Sequence, residues 1–159
     1  MTNQLHQLNI TYSNKEDRLL LRATTQNDEE YRIWLTRRFS NLLLEVLTKE
    51  MDKKGGITTI GANDQTTQMF KDGAFEKSFE DSSVNFPLGK SGILAYSIKT
   101  GANAEGNLIL ELKSEDGPGI TINLNNSLMY LFFSLLTQGI NKANWQLHSP
   151  AETTSKHIH

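Results

Sequence analysis

Apolar and polar residues alternate along the first part of the chain. Leu8, Ile10 and Tyr12 alternate with polar residues, which is the period of a strand with one buried face. Residues 18–25 and 30–36 show the same alternation, and the polar stretches between the segments are typical of tight turns. Three strands with connections this short predict an antiparallel meander.

The spacing of apolar residues changes after the third strand. From here they recur at steps of three and four, which predicts an amphipathic helix. Thr36 is expected to cap its start, and Gly55 with Gly56 to end it. Residues 7–54 are therefore predicted to form a β-β-β-α unit. The apolar stripe comprises Phe39, Leu42, Leu43, Val46, Leu47 and Met51.

The same order of patterns returns near the C-terminus. Residues 93–99, 107–113 and 120–124 are predicted strands, separated by turn-rich stretches that contain glycine. Residues 126–141 then show a helical pattern. A second β-β-β-α unit is therefore predicted over residues 92–145.

The two predicted units are similar enough to suggest an internal duplication. Residues 31–51 align with residues 120–140 without a gap, and both run from a strand through a polar junction into a helix. Repeats of about 50 residues are a known architectural signal. The predicted fold class is α+β, with antiparallel sheets that each carry one helix on a face. The units would merge into one larger sheet or pack about a pseudo-twofold axis.

The segments outside the two units complete a single predicted domain over residues 1–159. Residues 55–91 are polar and turn-rich, with a short helix predicted at 64–71. This connecting segment is expected to pack across the core or a sheet edge, because a structureless loop of that length is unusual. Residues 146–159 are expected to form a flexible tail. Four aromatic residues support packing of the connecting segment: Phe70, Phe75, Phe79 and Phe86.

The strand alternation also assigns faces to the predicted sheets. In each strand every second residue is apolar and is expected to face the helices. The residues expected to point inward are Leu8, Ile10, Tyr12, Leu19, Leu21, Ala23, Tyr31, Ile33, Leu35, Leu94, Tyr96, Ile98, Leu108, Leu110, Leu112, Ile120, Ile122 and Leu124. Ala95 is expected to point outward.

The outward face of the first unit combines arginines with a tryptophan. Arg next to Trp on a sheet can neutralise phosphates and stack bases, as in single-strand binders. The alternative, which we favour, is that Arg32 pairs with Glu30 or another carboxylate while Trp34 packs under the connecting segment or a second subunit. We call this set the Arg–Trp surface, and it comprises Arg18, Arg22, Arg32, Trp34, Arg37 and Arg38.

The second predicted helix is apolar on nearly all sides. Met129, Tyr130 and Phe133 extend its apolar surface beyond one face, so the helix is expected to be buried on two sides. These three residues are candidates for an interface with another chain. Packing against the first helix is an equally good interpretation.

Composition narrows the choice of function class. The chain has 16 basic and 18 acidic residues, and the resulting net charge of -2 argues against a protein that coats duplex DNA. No apolar run reaches the roughly 18 residues that span a bilayer. The N-terminal sequence has no secretory-signal pattern. The chain contains no cysteine, which fits a reducing compartment. A cytoplasmic protein without membrane contact is expected.

The sequence contains no recognisable catalytic or cofactor motif. The histidines His6, His148, His157 and His159 lie in polar or tail sequence, so no metal site is predicted. The glycines of residues 117–119 join strand to strand and do not open a helix, which disfavours a phosphate-binding loop. We therefore predict no catalytic residues, no metal and no cofactor.

These features favour a non-enzymatic interaction or assembly module, acting as a homodimer or as a small subunit of a larger complex. The second hypothesis is a single-stranded nucleic-acid-binding protein that uses the Arg–Trp surface. The general architecture predicted for this chain resembles the duplicated sheet-plus-helix single-strand binders of the Whirly and PUR type. Those proteins have four strands per unit, whereas three are predicted here. An enzyme with a pocket between the two units is the third hypothesis.

Overall fold

The computed structural model describes residues 5–62 and 83–145, which form a mixed α+β fold. The predicted helix at 64–71, three of the four aromatic residues of the connecting segment and the tail at 146–159 lie outside the described residues. The elements are β1 (Leu5–Ser13), β2 (Arg18–Thr25), β3 (Glu30–Leu35), α1 (Arg37–Asp52), α2 (Ile57–Gly61), β4 (Ile93–Leu94), β5 (Ser97–Ala102), β6 (Leu108–Lys113), β7 (Gly119–Leu124) and α3 (Asn126–Ala143).

Local sequence explains where the two long helices begin. Thr36 Oγ1 accepts a hydrogen bond of 3.1 Å from the backbone N–H of Phe39, which confirms the predicted cap of α1. Asn125 caps α3 in the same way, through a 2.8 Å bond from the N–H of Leu128. The sequence pattern offered Asn126 or Ser127 as this cap, so the observed cap lies at least one residue earlier. Short α2 was not predicted, because five residues show no helical period.

The strands form two sheets, with order β1-β2-β3-β4 in the first and β5-β6-β7 in the second. All neighbours are antiparallel except β3 and β4, which are parallel. The prediction of purely antiparallel sheets is therefore wrong at this pair. The reason is the connection: β4 is reached through α1 and a long segment, so no hairpin turn fixes its direction.

Strand β5 follows β4 after only two residues and carries the chain from one sheet to the other. Ala95 donates its N–H to Trp34 O in the first sheet, and Tyr96 donates its N–H to Lys113 O in the second. Ser97 is also the register partner of Lys113, so two residues oppose one, which is the pattern of a β-bulge.

Because of the bulge, the observed faces of this segment differ from the predicted ones. Because one extra residue shifts the alternation, Ala95 points inward and is 6% exposed. Leu94 and Tyr96, which were predicted to point inward, are 42% and 65% exposed. The other predicted inward positions are buried or half-buried, as expected.

Both long helices pack against the first sheet, and the buried residues of the two halves form one hydrophobic cluster. Helix α3 approaches β1 and β2 closely at Gly139, where an added Cβ would lie 3.0 Å from Ile10 Cγ2 and 3.3 Å from Leu19 Cδ1. The expectation that each sheet carries only its own helix is therefore corrected: the helix of the second half covers strands of the first.

Candidate functional site

Strand β5 has an open edge among the residues that the structure describes. It lies at one end of the sheet order β5-β6-β7 and pairs with β6, while β3 of the other sheet ends at Leu35, before the chain enters α1. In an antiparallel pair, every second residue of a strand forms its backbone hydrogen bonds with the neighbouring strand. Asn103 is such a residue, because its N–H donates to Asn107 O, so the alternate residues of β5 do not bond to β6. The backbone groups of Ile98, Thr100 and Ala102 therefore point away from β6, toward the open edge.

A cavity of about 370 Å³ lies beside this edge. Its walls come from the C-terminal end of α1, from β5 and from the first turn of α3, and include Lys53, Lys54, Thr100, Ala102 and Met129. The cross-strand partners of Thr100 and Ala102 are the buried residues Leu110 and Leu108, so their side chains share the inward face. Both nevertheless stay exposed, because the helices do not cover this end of β5.

The charged side chains that line the cavity are Glu50, Lys53 and Lys54, which leave one net positive charge. Lys54 Nζ donates a 2.6 Å hydrogen bond to Gly106 O, and Lys53 Nζ pairs with Glu50 Oε2 at 2.9 Å. An ammonium group has three N–H donors. Each lysine is thus held by one partner in the described structure while donors remain for a ligand.

This site was not predicted from the sequence. The pattern placed the end of the strand at Lys99 and assigned Gly101 to a turn, whereas β5 continues to Ala102. The available signal was the weak apolar character of the inward positions, Thr100 and Ala102, opposite leucines on β6. An inward face without large apolar residues indicates a strand end that the core does not cover.

In the Arg–Trp surface, two arginines already share a carboxylate. Glu30 is 1% exposed, and its Oε2 accepts a hydrogen bond from Arg32 Nε. The same oxygen lies 3.8 Å from Arg22 Nη1. Arg32 Nη1 also donates to Lys90 O at 2.8 Å. These contacts are those of the favoured alternative, in which Arg32 pairs with Glu30.

The segment before β4 covers part of the same surface. Trp34 Nε1 donates a 2.8 Å hydrogen bond to Ser91 O, and the Arg32 guanidinium stacks 4.8 Å from the centre of the Phe86 ring. Trp34 is left half-buried. Residues 86–91, at the C-terminal end of the connecting segment, therefore pack on the outer face of the first sheet.

The remaining members of the Arg–Trp surface lie elsewhere. Arg18 is half-buried at the start of β2, whereas Arg37 and Arg38 are exposed at the start of α1. Arg37 donates to the backbone carbonyl of Trp145. The structure thus brings Arg22, Arg32 and Trp34 onto neighbouring strands and places the junction arginines in the first turn of a helix. Nucleic-acid binding by these residues stays a prediction.

The three candidate interface residues of α3 have different surroundings. Met129 is 1% exposed and forms part of the cavity wall. Tyr130 is half-buried against α2, where an added Cβ on Gly61 would lie 2.9 Å from the Tyr130 ring. Phe133 is half-buried and packs against the core. The contact with α2 supplies a second side for α3 within its own chain, and an interface with another chain stays a prediction.

A separate polar cluster fastens the end of α3 to the β1–β2 turn. Asp17 Oδ1 accepts hydrogen bonds from Tyr12 Oη at 2.6 Å and from Trp145 Nε1 at 2.9 Å. The Tyr12 and Trp145 rings meet edge to face at 5.9 Å. Asp17 adopts a left-handed backbone conformation with φ 52°, which aims its carboxylate at both donors.

This cluster makes a testable contribution to acid stability. The hydrogen bond from Tyr12 and that from Trp145, with the charge of Arg37, hold the pKa of Asp17 below its usual 3.8. A carboxyl group whose pKa is lower in the folded than in the unfolded protein stabilises the fold at pH values above its unfolded pKa. This contribution is lost as the pH falls through the folded pKa. We expect Asp17→Asn to lower the melting temperature modestly at pH 7, with the difference shrinking below pH 3.8. Asparagine tolerates the left-handed conformation, so the backbone is kept.

The measurement is thermal unfolding of both proteins from pH 7 to pH 2. Glu16→Gln, at an exposed neighbouring position, controls for the loss of one charge. A difference between Asp17→Asn and the native chain that stayed constant across this range would contradict the assignment.

A smaller cavity of about 80 Å³ beside the start of β1 is polar and includes His6 and Asp28. No group of three or more potential metal ligands occurs within residues 5–62 and 83–145. In the same residues no helix is long and apolar enough to cross a membrane.

No protein-family model matches this chain, and no curated protein or solved structure matches it either.

Proposed function

We propose that this protein is a non-enzymatic interaction module that binds an extended segment of a partner protein as an additional strand on β5. The observation that carries the proposal is the open edge of β5, where the backbone groups of Ile98, Thr100 and Ala102 point away from β6 and the last two of these residues line a cavity. Strand addition to an open sheet edge is a recurring mode of peptide recognition, in which the backbone supplies affinity and pockets supply specificity.

The position of this edge distinguishes it from the outer edges of β1 and β7. The cavity of about 370 Å³ is lined by Thr100 and Ala102 of β5 but by no residue of β1 or β7. A strand added here would have its inward side chains directed to the cavity, since side chains alternate between the two faces. Backbone pairing and a side-chain pocket are therefore combined at one place.

The first test removes one edge donor. Thr100→Pro deletes an N–H that points to the open edge, and proline is tolerated at such positions because no ladder bond is lost. We expect ten-residue peptides selected by display on the native protein to bind this variant about tenfold more weakly, as for one or two lost hydrogen bonds. Fluorescence anisotropy of synthetic copies of the selected peptides measures the effect.

Thr121→Pro is the matched control. By the same alternation, Thr121 has its N–H on the outer edge of β7, so the substitution has the same chemistry at an edge without this cavity. Equal loss of binding in both variants, or no selectable peptide, would contradict the proposal. So would a dimer that Thr100→Pro converts to monomers, because a second copy would then occupy the edge.

Single-stranded nucleic acid binding is the alternative proposal, and it is supported by the exposed Arg37 and Arg38, which follow half-buried Trp34 in the chain. Glu30 opposes it, because its carboxylate engages Arg22 and Arg32. If the Arg–Trp surface binds phosphates, Glu30→Gln should tighten oligonucleotide binding and Trp34→Ala should weaken it, with a strong dependence on salt.

A further inference from the structure

The cavity beside β5 differs from a general apolar pocket in its charge. Lys53, Lys54 and Glu50 line it with one net positive charge, and Met129 with Leu108 supplies an apolar wall. Its volume of about 370 Å³ is within the range of ligand pockets. A side chain that fits this lining has an apolar stem and a negatively charged end.

The end of α1 positions the backbone that carries the two lysines. Lys53 is the C-cap residue of α1. The chain then turns at Gly55 and Gly56, which both have a positive φ. Gly56 donates its N–H to Met51 O, which closes the helix end. Lys54 is further held by its bond to Gly106 O, so the ammonium group is tied to the turn that follows β5.

From this arrangement we infer that the module selects partner segments with an acidic residue, whose carboxylate enters the cavity and binds Lys53 and Lys54. The inference depends on the proposed function, because the partner strand on β5 directs the acidic side chain inward. The residue opposite Thr100 or Ala102 on the added strand is the one that reaches the cavity, since both of these line it. The partner is thus an extended acidic segment of a protein.

The test is selection from a random library of displayed ten-residue peptides. On the native protein we expect Asp and Glu to be enriched about fivefold at one position of the selected peptides, as for a partly exposed ion pair. The double variant Lys53→Gln/Lys54→Gln should lose this enrichment. A synthetic peptide carrying Glu at that position should bind the native protein about fivefold more tightly than its Gln counterpart.

The double variant Lys49→Gln/Lys142→Gln is the matched control. It removes the same two charges from exposed sites, at the ends of α1 and α3, that do not line the cavity. It should keep the preference for acidic residues, and circular dichroism would verify that both double variants are folded. A preference lost equally in both would indicate the overall charge of the protein and overturn the inference.

The remaining outcomes separate this inference from the proposed function. Selected peptides that need Thr100 but show no acidic preference would overturn the carboxylate site and leave strand addition standing. Selected peptides that are insensitive to Thr100→Pro would overturn strand addition, and the carboxylate site with it.

Discussion

Replacing Glu30 with alanine is expected to lower the free energy of unfolding by about 2–4 kcal/mol. Removing one partner of a buried ion pair typically costs about 3–5 kcal/mol, because the remaining charge is left without compensation. Here the carboxylate is 1% exposed, but Arg22 and Arg32 keep 17% and 26% of their side-chain exposure. Water can therefore partly solvate the two guanidinium groups, which places the expected loss below the fully buried case.

The comparison is with Glu50→Ala. Glu50 also pairs with a basic residue, but its partner Lys53 is 68% exposed, so the pair should contribute no more than about 1 kcal/mol. Chemical denaturation gives both values, and an unchanged m-value would show that the folded and unfolded states are comparable. Equal losses for the two variants would mean that the buried carboxylate of Glu30 does not stabilise the fold through Arg22 and Arg32.

Strands β2, β3, β6 and β7 were predictable, because buried residues alternate with more exposed ones along each of them. Leu19 and Leu21 in β2, or Leu110 and Leu112 in β6, alternate with more exposed residues, and this period is visible in the sequence. The segment from β4 to β5 was not predictable in the same way. One extra residue at the bulge near Tyr96 reverses the alternation, and the parallel pairing of β4 depends on contacts far apart in sequence.

The candidate site was harder to predict than the fold. An open strand edge consists of backbone groups, which every residue except proline carries, so it has no signature in side chains. The edge of β5 also depends on tertiary structure, since β3 belongs to the other sheet and ends at Leu35 before α1 begins at Arg37. Lys53 and Lys54 lie between the last stripe residue of the predicted helix, Met51, and the glycines that end it, but their place beside Thr100 is a tertiary contact. The internal duplication stays a prediction.

The second large effect is expected at Gly92, which holds β4 beside β3. Its φ is +79°, and an added Cβ would lie 2.6 Å from Arg32 O, a contact with backbone that no side-chain movement relieves. A left-handed conformation costs an L-residue roughly 1–2 kcal/mol, and overpacking adds roughly 1–3 kcal/mol. Gly92→Ala is therefore expected to lower the free energy of unfolding by about 2–5 kcal/mol.

Gly89→Ala separates the two contributions. Gly89 has a φ of +86° in the same segment, but nothing lies within 4 Å of an added Cβ, so only the conformational cost of roughly 1–2 kcal/mol is expected. Because β4 leads directly into β5, displacement at Gly92 should also weaken peptide binding at the open edge, whereas Gly89→Ala should leave it unchanged. Denaturant unfolding and peptide anisotropy measure the two effects. Equal destabilisation by both substitutions would refute the close approach of Gly92 to β3 as the feature that positions the edge.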